Sequence, residues 1–390
     1  MRSNYLLLDH PGMQLKAHQI KYAQGYKNRE LVCHEGGTGK TVCACVWLHD
    51  KRDANALVIC PKRVVKKWEK ALKDWQTKAL VVSKEEFKKL GAHEWSAIVV
   101  DEADEFASPL FVKGRSQLSE ALYKTIEINL QTPILLLTAT PIRSNPWNLH
   151  TLLTYKGHYI EWKKWRAEFF SLQYRPYMSR PAYFPVDNWR EKARNVLEKH
   201  ADIVLLRDCV AELPPATEEV VKIKSDKFTS LEVQPKKAFV EEHQHEQKNK
   251  LKTILEIGQE YRKVLVVAYY VEQVEELNRQ LSKDRETFMV HGSVKNQEEI
   301  LKRANEVDEC YLIVQASLGA GFDADTFSCV IFASMSYAVR DYIQMKYRVR
   351  RIHNLQPVIY MILLSGRCDE TIYNNIIKGK DFIPSEWQQK

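Results

Sequence analysis

The chain has 390 residues, of which 45% are apolar and 28% charged, and Lys plus Arg exceed Asp plus Glu by eight. That length is more than one compact core accommodates and points to two lobes, while the composition excludes wholesale disorder. No stretch approaches the roughly 18 apolar residues of a membrane span, and Leu6 to Leu8 is too short an apolar run for a secretory signal. A cytoplasmic protein without membrane contact is the expectation. The basic balance, with a pI near 8.9, permits nucleic-acid binding without demanding it. Eight scattered cysteines, mostly inside apolar runs and without a CxxC pair, read as buried free thiols.

In chain order, short apolar runs at Leu31 to Cys33, Ala56 to Cys60, Ala79 to Val82, Ala97 to Val100 and Ile134 to Leu137 are predicted strands. Between them lie helical patterns such as Val64, Trp68, Leu72 and Trp75. Strand alternating with helix predicts an α/β fold with a parallel sheet covered on both faces. The rhythm returns at Val264 to Ala268, Phe288 to Val290, Tyr311 to Val314, Cys329 to Phe332 and Val358 to Leu364, which predicts a second lobe. The expected division is 1–150 for the first lobe, 151–215 for an aromatic-rich helical elaboration ending in a linker, and 216–390 for the second.

Directly after the first strand comes Gly36-Gly37-Thr38-Gly39-Lys40-Thr41, followed by a helical run. Glycines there let backbone N–H groups turn around phosphate oxygens, Lys40 suits β and γ phosphates, and the Thr41 hydroxyl suits Mg²⁺. His34 stands where the strict pattern has its first glycine. The run Ile98-Val99-Val100 delivers Asp101-Glu102-Ala103-Asp104 to a strand's C-terminal end, where open α/β sheets bind ligands. Asp101 is the candidate Mg²⁺ ligand and Glu102 the group that orients and deprotonates water. Leu135 to Leu137 leads into Thr138-Ala139-Thr140, two hydroxyl residues at a third strand end.

In this order the three segments resemble the superfamily 2 helicases, and within them the compact SNF2-like motors often carried by bacteriophages. The resemblance implies two tandem RecA-like lobes with an ATP cleft between them, and ATP and Mg²⁺ as cofactors. It implies that Gln19, in Leu15-Lys16-Ala17-His18-Gln19, reads adenine, and that Thr138 and Thr140 couple hydrolysis to grip. In the second half, Ser317 to Asp323 resembles motif V and puts Gly321 and Asp323 at the nucleotide. The segment Gln344 to His353 is similar to motif VI, with Gln344 in a coupling position and Arg348 and Arg351 as the arginines. Asp369-Glu370-Thr371-Ile372-Tyr373 with Lys378 resembles an SNF2-type C-terminal brace. Thr-Ala-Thr and the Gln344 start depart from DEAD-box RNA helicases, so DNA is expected ahead of RNA.

For nucleic acid, Lys62 and Arg63 follow a strand end at the motif Ia position, and Gly292-Ser293 after His291 resembles a phosphate-gripping turn. Such contacts give affinity without reading sequence. On a helix, Arg348 and Arg351 would share a face while Arg350 points elsewhere. His243 and His245 lack a grouping at metal spacing, so zinc is not expected there. The Trp162, Trp165 and Phe169 stripe reads as helix packing, and Cys43 and Cys45 as structural. A DNA translocase acting as a monomer is the leading expectation. A strand-separating helicase, an RNA helicase, and an ATP-operated switch or loader on a protein partner remain its rivals.

Overall fold

The structure is a computed structural model that describes residues 15–23, 28–50, 55–91, 93–109, 116–141, 145–174, 180–209, 213–224, 248–318, 322–336, 338–351, 354 and 356–378. The chain divides into two compact units, Met1–Ala211 and Glu212–Lys380.

In the first unit, β1 (Arg29–His34), β2 (Ala56–Cys60), β3 (Leu80–Ser83), β4 (Ala97–Asp101) and β5 (Ile134–Leu137) form where the apolar runs predict them. The stretch expected to be helical elaboration and linker contains three further strands. An antiparallel pair, β6 (Phe170–Gln173) and β7 (Ala182–Pro185), stands apart, and β8 (Asp202–Val204) joins the main sheet beside β1. The sheet is parallel throughout, in the order β3-β2-β4-β5-β1-β8. Alternate strand residues feed two apolar layers. Leu31, Leu57, Ile59, Ile98 and Val100 pack with the helices at Gln117–Ile128, Trp147–Tyr155, Trp162–Phe169 and Trp189–His200. Val32, Val58, Val99 and Leu137 pack with those at Ala17–Ala23, Lys40–Asp50 and Val65–Asp74. Two-sided burial is why these strands read as continuous apolar runs. Trp165 and Phe169 are fully buried, as a packing stripe requires.

The second unit carries β9 (Ala216–Ile223), β10 (Lys263–Ala268), β11 (Thr287–Val290), β12 (Cys310–Gln315), β13 (Cys329–Phe332) and β14 (Val358–Ser365), parallel in the order β11-β12-β10-β13-β14-β9. The C-terminal helix Gly366–Lys378 is tied to this sheet by a buried carboxylate. Asp369 accepts from the Ser365 backbone N–H and hydroxyl, each at 3.0 Å, and from Lys250 Nζ at 2.5 Å. Lys250, almost wholly buried, also donates to the Ala333 carbonyl. A buried ammonium so paired carries no uncompensated charge.

No helix among the described residues is long and apolar enough to cross a membrane.

Candidate active site

Strand register brings the three motifs of the first unit to one edge. Val32 pairs with Leu137, and Leu137 with Asp101, so the loops after β1, β5 and β4 leave the sheet side by side. Adjacent strands lie about 4.8 Å apart, which sets the spacing of phosphate loop, Thr-Ala-Thr and acidic segment.

Gly37 and Gly39 adopt the left-handed conformation, with φ of 83° and 89°. Only glycine does so without strain, and a Cβ on Gly39 would also stand 2.6 Å from Gln19 Nε2. Gln19 is thereby placed against the loop by fit: its Oε1 accepts the Lys16 N–H at 2.9 Å, and His18 beside it reaches the Thr38 carbonyl through Nε2 at 3.0 Å. The buried Thr38 hydroxyl donates to the Glu35 carbonyl. Lys40 folds back onto its own loop, donating to the His34 and Glu35 carbonyls at 2.9 and 3.2 Å. Gly36 and Thr41 sit partly exposed on the same loop and helix start. These residues fit a nucleotide triphosphate, because the turned glycines and a lysine at a helix N-terminus form an anion cradle.

On β4, Asp101 Oδ2 accepts from Trp68 Nε1 at 3.0 Å, and its Oδ1 accepts the Glu102 N–H at 3.0 Å. Glu102 has φ 53°, an uncommon left-handed setting for a non-glycine residue. Asp104, buried, accepts from the Thr138 hydroxyl at 2.9 Å and the Thr140 hydroxyl at 3.2 Å. Asp104 and Trp68 are contacts of this edge that the sequence alone does not single out, one being a trailing acid and the other part of an apolar stripe. Two hydroxyls at a neighbouring strand end were the available signal for Asp104.

His34 in the place of glycine has a structural reason. Its side chain is completely buried, and Nε2 contacts Asp202 Oδ2 on β8 at 2.6 Å. Burial pushes its pKa down to about 4. Asp202 also accepts from Lys21 and the Tyr22 hydroxyl, and although burial alone would raise its pKa, His34, Lys21 and Tyr22 together hold it below the ordinary carboxylate value. One nitrogen each of His18 and His34 and the Cys43 sulfur lie within 4.8 Å of one another. His243 and His245 lie outside the described residues.

Lys62 and Arg63 form an exposed turn directly after β2, at the same sheet edge. The helix that follows is anchored by buried Trp68, which connects this basic turn to Asp101.

In the second unit, Gly292 and Ser293 are exposed beyond β11, and the Gly292 N–H donates to Gln315 Oε1 at 3.2 Å. A Cβ on Gly292 would meet that oxygen only at 3.8 Å, so space does not require glycine there. The motif VI helix spans Val339–Val349 and is capped by Arg350, so Arg351 lies beyond it. Shared bearing on a helix is therefore not the reason the two arginines meet. They converge on one carbonyl: Arg348 Nη1 donates to Phe322 O at 3.0 Å and Arg351 Nη2 at 3.5 Å, and Arg351 also pairs with Asp323. Arg350 turns the other way, to the Pro214 carbonyl at 3.5 Å. Buried Gln344 accepts from Arg340 Nε at 2.8 Å when its amide is oriented to suit both groups. Gly321 lies outside the described residues.

Residues 78–269 match the SNF2-related domain, and residues 246–353 match the helicase conserved C-terminal domain. No curated protein sequence matches the chain. Among solved structures, S. cerevisiae Dbp5 bound to RNA and ADP BeF3 is similar with a TM-score of 0.56 and 12% identity, over 95% of this chain and 88% of that one. The Sulfolobus solfataricus SWI2/SNF2 ATPase core in complex with dsDNA aligns over 96% of this chain and 93% of that one, with a TM-score of 0.43 and 16% identity. The two parallel sheets and the likeness to Dbp5 make the fold a tandem pair of RecA-like α/β lobes. The two domain matches together run from residue 78 to residue 353, and the chain belongs to the SNF2-like helicases of superfamily 2, as an ATPase of that family.

Proposed function

We propose that this ATPase is a motor that moves along the backbone of nucleic acid, DNA in preference to RNA, with ATP and Mg²⁺ as cofactors. The observation that carries the reading is the single sheet edge on which the glycine cradle with Lys40, the Asp101-Glu102 pair, the Thr138–Asp104–Thr140 bridge and the basic turn at Lys62 and Arg63 stand together. Bound Mg²⁺·ATP supplies a phosphoanhydride whose cleavage is the energy source. Gly36 to Gly39 and Lys40 neutralise phosphate charge, Thr41 and Asp101 hold the metal, and Glu102 orients water and takes its proton. Gln19 selects the base. Arg348 and Arg351, with Asp323 and Gly321, are the nucleotide contacts of the second unit, and Gln344 transmits their state. Lys62, Arg63, Gly292 and Ser293 grip phosphates. Preference for DNA, and service in replication, recombination or repair of a phage genome, rest on the motif resemblance.

Thr138 and Thr140 both hydrogen-bond to the acidic segment, so their position depends on Asp104. A change at the water-activating carboxylate can thereby reach the neighbouring loop. The test is turnover with and without DNA. Nucleic acid should stimulate it, Lys40→Ala should abolish it, and Glu102→Gln should retain nucleotide while losing about a hundredfold or more in rate. Wild-type turnover by Glu102→Gln would refute the assignment. Triplex displacement without fork unwinding supports translocation, fork unwinding supports strand separation, and hydrolysis indifferent to nucleic acid supports a protein-directed switch.

A further inference from the structure

The back of the phosphate loop carries a second concentration of ligand chemistry that nucleotide binding leaves unused. His18 comes from the helix Ala17–Ala23, His34 from the end of β1, and Cys43 from the helix Lys40–Asp50. Their donor atoms lie within 4.8 Å of one another, with Cys43 Sγ 4.0 Å from His34 Nδ1. Cys209, on the short helix Leu206–Cys209, places its sulfur 3.5 Å from His18 Nδ1. Donor atoms around a tetrahedral zinc ion stand about 3.3 to 3.8 Å apart, so contraction of about an ångström would close the set of His18, His34 and Cys43, with Cys209 beside it against His18.

The outer contacts are those of a metal centre as well. His34 engages Asp202 through Nε2, leaving Nδ1 toward Cys43, and the Asp202 carboxylate is itself fixed by Lys21 and Tyr22. A carboxylate behind a ligating imidazole sets the tautomer and the ring orientation. His18 reaches the Thr38 carbonyl through Nε2, which leaves its Nδ1 lone pair on the Cys209 side. His18 and Cys209 are only half-buried, whereas His34 and Cys43 are fully buried, so an ion has an approach from one side. Two imidazoles with one or two thiols select a borderline divalent ion of the zinc class over Mg²⁺, which prefers oxygen.

We propose that His18, His34 and Cys43 bind a zinc-class divalent ion behind the phosphate loop, with Cys209 as the fourth ligand. On binding, each ligating thiol releases its proton to solvent and becomes a thiolate, with no change of oxidation state. The ion would join the helix bearing Gln19, the strand end whose carbonyl holds Lys40, and the helix that Lys40 begins. Metal occupancy thereby sets the position of the adenine-side helix against the phosphate loop.

The test uses the full chain, stripped with a chelator and titrated with Co²⁺ alone, then with Zn²⁺ in competition. Wild type should bind one equivalent with a thiolate-to-cobalt charge-transfer band and tetrahedral visible bands, and zinc should displace it at submicromolar concentration. Cys43→Ser should remove the charge-transfer intensity that Cys43 contributes and weaken binding more than a hundredfold, roughly the upper end of what outer-sphere changes cost. Asp202→Asn should weaken it by about tenfold to a hundredfold. Cys45→Ser, on the same helix and equally buried, should bind as wild type does. Circular dichroism of each variant separates lost binding from lost folding. A folded wild type that gives no thiolate band, or a Cys45→Ser protein that loses as much as Cys43→Ser, overturns the site. Lys40→Ala should keep the ion while losing hydrolysis, so failure of the metal site and failure of the motor reading are told apart.

Discussion

The two units hold their candidate functional groups in different ways. At the edge of the first sheet, partners come from segments far apart in the chain: Asp104 with Thr138 and Thr140, Asp101 with Trp68, His34 with Asp202. In the second unit the two motif VI arginines rest on a single short segment, Phe322 and Asp323. The partners also differ in charge. Lys40 leans on two neutral carbonyls, whereas Arg351 is paired with a carboxylate. The first edge is preorganised by long-range cross-links, and the second holds its cations in a charged resting contact.

The contrast is most exposed at Arg351. If its work lies in stabilising transition-state charge, Arg351→Ala should reduce DNA-stimulated turnover about a thousandfold and spare ATP affinity, while Arg350→Ala, directed at Pro214, should cost far less. A larger loss from Arg350→Ala would mean that the Phe322–Asp323 contact marks the wrong arginine.

Acid probes the cross-linked edge. Burial lowers the folded pKa of His34 from 6.5 to about 4, so its neutral form is the one the fold accepts. Its contribution is complete above pH 6.5 and is lost as pH falls from 6.5 to 4, by about 3 kcal/mol in all. Asp202, whose pKa is also lowered, adds a loss of the same sign below 3.8. Denaturant titrations of wild type and His34→Asn across that range should diverge, with the variant showing the shallower slope. Parallel curves would show that His34 is not held neutral.

Asp104→Ala should destabilise the first unit by about 2 kcal/mol, because two buried hydroxyls lose a charged acceptor. It should also lower the ratio of DNA-stimulated to basal turnover. Stimulation unchanged in a folded Asp104→Ala protein would remove the coupling role from the Thr138–Asp104–Thr140 bridge. The smallest effect is expected at the exposed turn. Lys62→Ala and Arg63→Ala should each weaken DNA binding by about 1 kcal/mol, uniformly over sequences, and flatten the salt dependence by about one unit of slope. Loss confined to one base sequence would contradict a backbone grip.

Ten strands, the glycine-rich loop, and the place of Asp101 and Glu102 at a strand end could be read from the chain, because each rests on local chemistry: an uninterrupted apolar run, glycines where φ is positive, a carboxylate directly after a buried strand. What escaped the reading depends on partners distant in sequence. The three residues of β8 have no pattern of their own and become a strand only by pairing with β1, which is also what brings Asp202 to His34 across 168 positions. The mostly exposed β9 has no apolar run of its own and becomes a strand only with β14 beside it. Asp104 resembles its acidic neighbours until β5 delivers two hydroxyls to it, and Cys43 resembles any buried thiol until His18 and His34 arrive from other elements. The sequence by itself determined where backbone geometry and burial are decided within a few residues. Which side chains meet across strands was decided only by the tertiary structure, since parallel sheets join segments through long crossovers whose register no local pattern encodes.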